Sequence, residues 1–166
     1  MTAETSSPRR LARVGILIAL SVVGAMVKLP SPTGTVAVDA APAFLAAFAF
    51  TMPEAMLVAV LGHLVSAATA GFPLSLPVHA IVAPAMAVAV AGAFVVRKKF
   101  GLWAGAVVGI VLNGLAAPLA LVPLLGWGIV IGLLVPLLVG SAVNVVLAVI
   151  VAKALAAAGL AEQPAT

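Results

Sequence analysis

Two histidines, His63 and His79, are the only ones in the chain, and they flank a Gly71-Phe72-Pro73 turn inside GHLVSAATAGFPLSLPVH, residues 62 to 79. Imidazole is a costly choice in an apolar medium, so a pair around one turn points to a ligand site near a membrane surface. Asp39 precedes an Ala/Phe-rich run and has two readings. It is either the N-cap of the following helix, with Pro42 in the first turn, or a hydrogen-bond acceptor for a ligand. Phe72 and Trp127 fall on turns, as interfacial belt residues or as stacking surfaces for a planar ligand. Asn113 and Asn144 lie within apolar runs and serve either as interhelical glue or as ligand contacts.

The elements that must position these residues are membrane helices. Of 166 residues, 65% are hydrophobic and 7% are charged, and the mean hydropathy is +1.37, values that place the chain in a bilayer. A pI near 10.4 would suggest nucleic acid in a soluble protein, but here the 8 Lys and Arg against 4 acids read as topology signals. Cys is absent, which excludes disulfides and thiolate metal sites. No G-x-x-x-x-G-K-[ST] occurs, so the chain has no P-loop of its own.

Taken in order, residues 1–10 read as a disordered cytoplasmic lead-in, 11–156 as a six-helix membrane domain and 157–166 as a cytoplasmic tail. Helix 1 is expected over Leu11 to Lys28, ending at the Pro30-Ser31-Pro32-Thr33-Gly34-Thr35 loop. Helix 2, about Ala40 to Phe50, is too short to cross a bilayer alone. Thr51-Met-Pro-Glu54 is a capping box that starts helix 3, which runs to about Ala70. Ser75-Leu-Pro77 repeats the cap-then-proline pattern and starts helix 4, which continues to Val96 before Arg97-Lys98-Lys99. Helix 5 spans about Leu102 to Val122, Leu125-Gly-Trp-Gly128 turns the chain, and helix 6 runs to about Ala156. Arg9, Arg10, Arg13, Arg97, Lys98, Lys99 and Lys153 then fall inside and Lys28 alone outside, giving an N-in/C-in arrangement with the 62–79 turn external. On this topology His63 lies about 10 Å below the outer end of its helix, at about 1.5 Å per residue. His79 lies just inside the outer end of the next, so the two rings are expected at different depths in one vestibule.

Four-residue stripes mark close helix contact. Gly101, Gly105, Gly109, Asn113 and Ala117 on helix 5, with Gly128, Gly132, Pro136, Gly140, Asn144, Ala148 and Ala152 on helix 6, predict tight antiparallel pairing. Ser66 and Ser141 sit in no nucleophile motif, which argues against catalysis. No acid lies at mid-membrane depth, which argues against ion coupling.

With these motifs in place, Val23 to Lys28 leading into PSPTGTVAVDAAP (30–42), then PEAMLVAVLGHLVSAATAGFPLSLPVH (53–79), resembles the substrate-binding S components of energy-coupling-factor (ECF) vitamin transporters. Within that family the pattern is most similar to the branch assigned to alpha-ribazole, a cobalamin-precursor nucleoside. The resemblance implies an all-α bundle of six transmembrane helices in the cell membrane, with an external pocket closed by the helix 1–2, 3–4 and 5–6 loops. Thr33, Thr35, Asp39, His63, Phe72, His79, Asn113, Trp127 and Asn144 are the expected substrate contacts. It also implies partners, a transmembrane coupling subunit and two ATPases, about which the S component topples; no cofactor and no nucleic acid are called for. The family docks through an Ala-x-x-x-Ala face on helix 1, matched here by Gly15 and Ala19. Cobalt and nickel members carry a histidine after the initiator Met, whereas this chain begins Met1-Thr2-Ala3, which argues against a metal substrate. The alternative is a stand-alone helical channel, which would need a continuous polar lining that none of these helices supplies.

Overall fold

The computed structural model describes residues 7–31 and 36–161. Six helices account for nearly all of it: α1 (Ser7–Met26), α2 (Ala41–Ala49), α3 (Met52–Thr69), α4 (Leu76–Phe100), α5 (Leu102–Leu119) and α6 (Val122–Ala157). Among the described residues there are no strands, only an isolated antiparallel bridge between Lys28 and Ala37. Four helices, α3 to α6, are long and apolar enough to cross a membrane. At 20 residues α1 is also long enough, but Arg9, Arg10 and Arg13 crowd its first turns. The 9 residues of α2 are too few to cross alone.

That short helix is the centre of the bundle. Eight of its nine residues are buried, and Phe44 is wholly so. Alanines let neighbours approach it closely: a Cβ at Gly109 of α5 would sit 2.7 Å from the Phe44 ring. Along α1, Val14, Leu17, Ser21 and Ala25 are buried while Leu11, Ile16, Val23 and Met26 are exposed, the single inward stripe of a helix at the edge of a bundle. Its contact with α3 is close, since a Cβ at Gly62 would lie 2.7 Å from Ser21 Oγ.

Several sequence expectations are corrected. Helix α1 begins at Ser7, inside the stretch read as a lead-in. Asp39 does not cap α2: Ala40 holds that position without a side-chain cap. Ser75 precedes α4 but makes no cap bond either, its φ of 120° being outside cap geometry. Arg97, Lys98 and Lys99 form the last turn of α4 rather than a loop beyond it. The expected turn at 125–128 is a kink instead; Pro123 sits in the first turn of α6, where a missing N–H costs nothing, and only Gly126 leaves helical geometry, at φ 76°.

The glycine stripes do not form one α5/α6 seam. Gly105 faces Ala93 and Arg97 of α4, Gly109 faces Phe44 of α2, and Gly114, outside the stripe, faces Leu138 and Ser141 of α6. Gly128 and Gly132 meet nothing within 4 Å, and Gly140 meets Val36 of the loop before α2. A four-residue step overshoots a 3.6-residue turn by about 40°. Such a stripe therefore winds around its helix and visits several neighbours. Two π-helical turns, Val58–Gly62 in α3 and Leu112–Ala116 in α5, rotate the remainder of each helix in a way that no side-chain pattern announces.

Candidate functional site

The π turn of α3 ends where His63 begins a regular helix again, and the capping box fixes the other end of that helix. Glu54 Oε2 accepts from the Thr51 N–H at 3.1 Å and from the Thr51 hydroxyl at 2.7 Å, so the capping reading of Thr51 and Glu54 holds. Oε1 is not idle: Arg13 of α1 donates to it through Nε and Nη2. The Arg13 guanidinium also covers the Phe50 ring, 4.0 Å from its centroid. Arg97 of α4 reaches the last turn of α2 and donates to the Ala47 carbonyl at 2.7 Å. This end of the bundle is a set of mutually satisfied polar groups.

At the opposite end the two histidines meet. The rings lie 5.0 Å apart between centroids, with His63 Nε2 and His79 Nδ1 at 3.0 Å, so two residues expected only to share a vestibule are in direct hydrogen-bond contact. The helices α3 and α4 run back on each other across the 70–75 turn, which brings the two rings into contact. The other nitrogen of His79, Nε2, donates to the Pro73 carbonyl at 2.7 Å. That carbonyl is aimed by an unusual backbone: Phe72, Leu74 and Ser75 all have positive φ, at 50°, 68° and 120°. Three such non-glycine residues in one turn store strain, a feature that concentrates at functional sites. Phe72 leans on His79 with ring centroids 5.8 Å apart.

Asp39 completes the group, with Oδ2 3.7 Å from His63 Nδ1. It arrives on a segment folded back over the end of α1, where the Leu29 N–H donates to Val36 O at 2.9 Å and the Val38 N–H donates to Gly24 O at 3.2 Å. Asn144 of α6 anchors this segment from the other side, donating through Nδ2 to Ala37 O at 2.9 Å. These residues enclose a cavity of about 50 Å³ whose walls include Lys28, Asp39, His63, Ser66, Pro73 and His79. That is room for a polar end of a ligand, far below the roughly 300 Å³ of a whole small-molecule site. Two larger hollows lie on the flanks of α1: one of about 320 Å³ is lined by apolar residues alone, and one of about 360 Å³ has Arg9 and Arg13 in an otherwise apolar wall.

Asp39, His63, His79 and Phe72 are thus brought together, and other expected contacts lie elsewhere. Asn113 donates through Nδ2 to Ser141 Oγ at 2.8 Å, tying α5 to α6. Asn144 lies behind the Asp39 segment and outside the cavity wall. Trp127 is 60% exposed on α6. Thr33 and Thr35 lie outside the described residues. Gly15 and Ala19 are exposed on α1.

Sequence reasoning missed Lys28 and Ser66 as wall residues. Lys28 was legible as the one basic residue that broke the inside bias, and Ser66 as the residue three beyond His63 on the same helical face. The Ser66 hydroxyl is buried with no hydrogen-bond partner. Among the described residues no cluster of three or more His, Cys, Asp or Glu side chains is placed to hold a metal ion.

Comparison with known proteins bears on both fold and role. A solved structure described as "Structure and mechanism of the S component of a bacterial ECF transporter" is similar to this chain in fold, with a TM-score of 0.72 over 92% of this chain and 98% of that one at 20% sequence identity. No curated protein matches the sequence. The family described as "ECF transporter, substrate-specific component" matches residues 9–157, nearly the whole membrane domain. The chain belongs to the substrate-specific components of ECF transporters, and it is a transport subunit embedded in the membrane rather than an enzyme.

Proposed function

We propose that this subunit captures a vitamin or vitamin precursor from outside the cell, with alpha-ribazole as the substrate, through the cavity at the histidine end. Family membership implies a small-molecule substrate, a coupling subunit and ATPases. The observation that carries the finer reading is the convergence of Asp39, His63 and His79, from three separate elements, on one cavity with a buried unpartnered hydroxyl beside them. The chain is arranged N-in/C-in, with the histidine end outward and the arginine end inward, in keeping with seven of its eight basic residues. Docked on its coupling subunit through the exposed α1 face at Gly15 and Ala19, it topples to release ligand inward.

Purification in detergent followed by mass spectrometry of co-purified small molecules tests the substrate directly, with alpha-ribazole expected. Asp39→Ala and His63→Ala are each expected to weaken its binding at least about tenfold, the consequence of deleting a charged or buried hydrogen-bond partner. Unchanged affinity in both variants overturns the site. A Cβ at Gly15 would meet nothing within 4 Å, so Gly15→Leu leaves the subunit itself folded. Loss of co-purification with the coupling subunit is the expected result, and intact assembly would remove α1 as the docking face.

A further inference from the structure

The hydrogen-bond chain at the histidine end dictates where its protons sit. A carbonyl oxygen only accepts, so His79 Nε2 carries the hydrogen directed at Pro73 O, 2.7 Å away. In the uncharged pair His79 Nδ1 is then a lone pair, and it accepts the hydrogen of His63 Nε2 across 3.0 Å. The last atom of the line, His63 Nδ1, is left without a hydrogen and stands 3.7 Å from Asp39 Oδ2. Two acceptors face each other over a gap too long for a hydrogen bond between them. Both belong to the wall of the cavity, as do Lys28 and the unpartnered Ser66 hydroxyl.

An extra proton on this pair has one destination. If His63 takes the charge, the new hydrogen is on its Nδ1. If His79 becomes the imidazolium, its Nδ1–H turns to His63 Nε2, and His63 must carry its own hydrogen on Nδ1. Either way an N–H now points at Asp39, and the charge belongs to the pair rather than to one ring. The charged groups facing the pair are Asp39, from the segment before α2, and Lys28, from the end of α1. Glu54, Arg13 and Arg97 are all occupied with one another or with α2 at the opposite end.

We propose that the cavity recognises its ligand through two adjacent hydroxyl groups, one donating to His63 Nδ1 and the other to Asp39 Oδ2, and that a proton on the histidine pair competes with them. The inference rests on the reading of this cavity as the substrate site. Two acceptors 3.7 Å apart suit two donors on neighbouring atoms, each hydrogen bond running about 2.8 Å. A single amine nitrogen, as a cation, would share the cavity with Lys28. A volume of about 50 Å³ admits such a diol but not an aromatic ring system. The ligand class is therefore a neutral vicinal diol, as on a ribosyl group, with its remaining bulk outside this subsite.

The test uses the full chain in detergent with its histidine rings labelled with nitrogen-15, and alpha-ribazole and its 2′-deoxy analogue as probes. In the ligand-free protein at neutral pH, both histidines are expected to carry hydrogen on Nε2 only, and His63 Nδ1 to gain one on acidification. A protonated His63 Nδ1 at neutral pH overturns the proposal, whether or not any ligand binds. Alpha-ribazole affinity is expected to fall about tenfold per pH unit once the pair is protonated, and the 2′-deoxy analogue to bind about tenfold more weakly than alpha-ribazole. In His63→Asn only His79 is left to take the proton and no ring N–H then faces Asp39, so affinity is expected to fall less steeply with acid than in the unaltered protein. Equal binding of the deoxy analogue, or flat affinity in the unaltered protein, overturns the diol reading. If alpha-ribazole fails to bind at any pH, the substrate named above falls instead, and the spectra decide the proton arrangement on their own.

Discussion

The two ends of this bundle handle buried polarity in opposite ways. At the arginine end buried polar groups answer one another: Glu54, 1% exposed, accepts from Thr51 and Arg13, and Arg97 answers a carbonyl of α2. At the histidine end the hydrogen bonds run in one line and stop short. His63 and Asp39 face each other without bonding, Ser66 has no partner, and the turn that aims Pro73 is held at positive φ. A buried polar group left unanswered costs about 1–3 kcal/mol. The arginine end therefore supplies stability, and the histidine end gives some up in leaving groups unanswered, as the proposed ligand site requires.

The sharpest break of that contrast is Arg13→Ala. It leaves a buried carboxylate without its main cation and is expected to cost about 3 kcal/mol of stability, read as a shift in denaturant unfolding in detergent. Ligand affinity should stay within about twofold of the unaltered protein, because the sites lie at opposite ends and separate sites act independently. A loss below about 1 kcal/mol would show that Arg10, already 3.7 Å from Glu54 Oε1, takes over the role.

A smaller change touches both properties. A Cβ at Gly24 would lie 2.3 Å from the Val38 carbonyl oxygen, a backbone atom that cannot rotate away. Gly24→Ala must push the 36–39 segment off α1 and carry Asp39 with it. A stability loss of about 2 kcal/mol and an affinity loss of about tenfold are expected together. Stability lost with affinity intact would mean that Asp39 is placed by Asn144 and α6 alone.

The two ends were legible in the sequence to different degrees, because local signals write one and packing writes the other. The capping box is local, four residues long, and was readable outright. So was the order of the helices, though not the start of α1 or the end of α5, and Asp39 was legible as a candidate polar contact, because rare polar residues in an apolar chain have few places to go. The Arg13–Glu54 contact joins residues 41 apart, and only packing discloses it. The meeting of the histidine rings depends on how α3 and α4 run back on each other and on a π turn, neither of which leaves a mark in side-chain periodicity. Of the two readings of Asp39 the cap falls, although Asp before an Ala/Pro run is the usual cap signal, because Ala40 holds that position. Here the segment instead folds back on Gly24, where an α1 carbonyl accepts from Val38. The glycine stripes misled because a period of four drifts around a helix of 3.6 residues per turn.

The smallest effect bears most directly on the difference between the ends. Ser66 is 3% exposed, its hydroxyl has no partner, and it shares the cavity wall with Asp39 and both histidines. If that hydroxyl is kept for a ligand, removing it should move stability and affinity in opposite directions. Ser66→Ala is expected to raise unfolding stability by about 1 kcal/mol, the relief of an unanswered buried group. It is expected to weaken ligand binding about fivefold, the loss of one ordinary hydrogen bond. A variant that is more stable and binds as well as before would make Ser66 a packing compromise. One that is less stable would mean that the hydroxyl is answered within the fold, and that the histidine end holds less in reserve than its geometry implies.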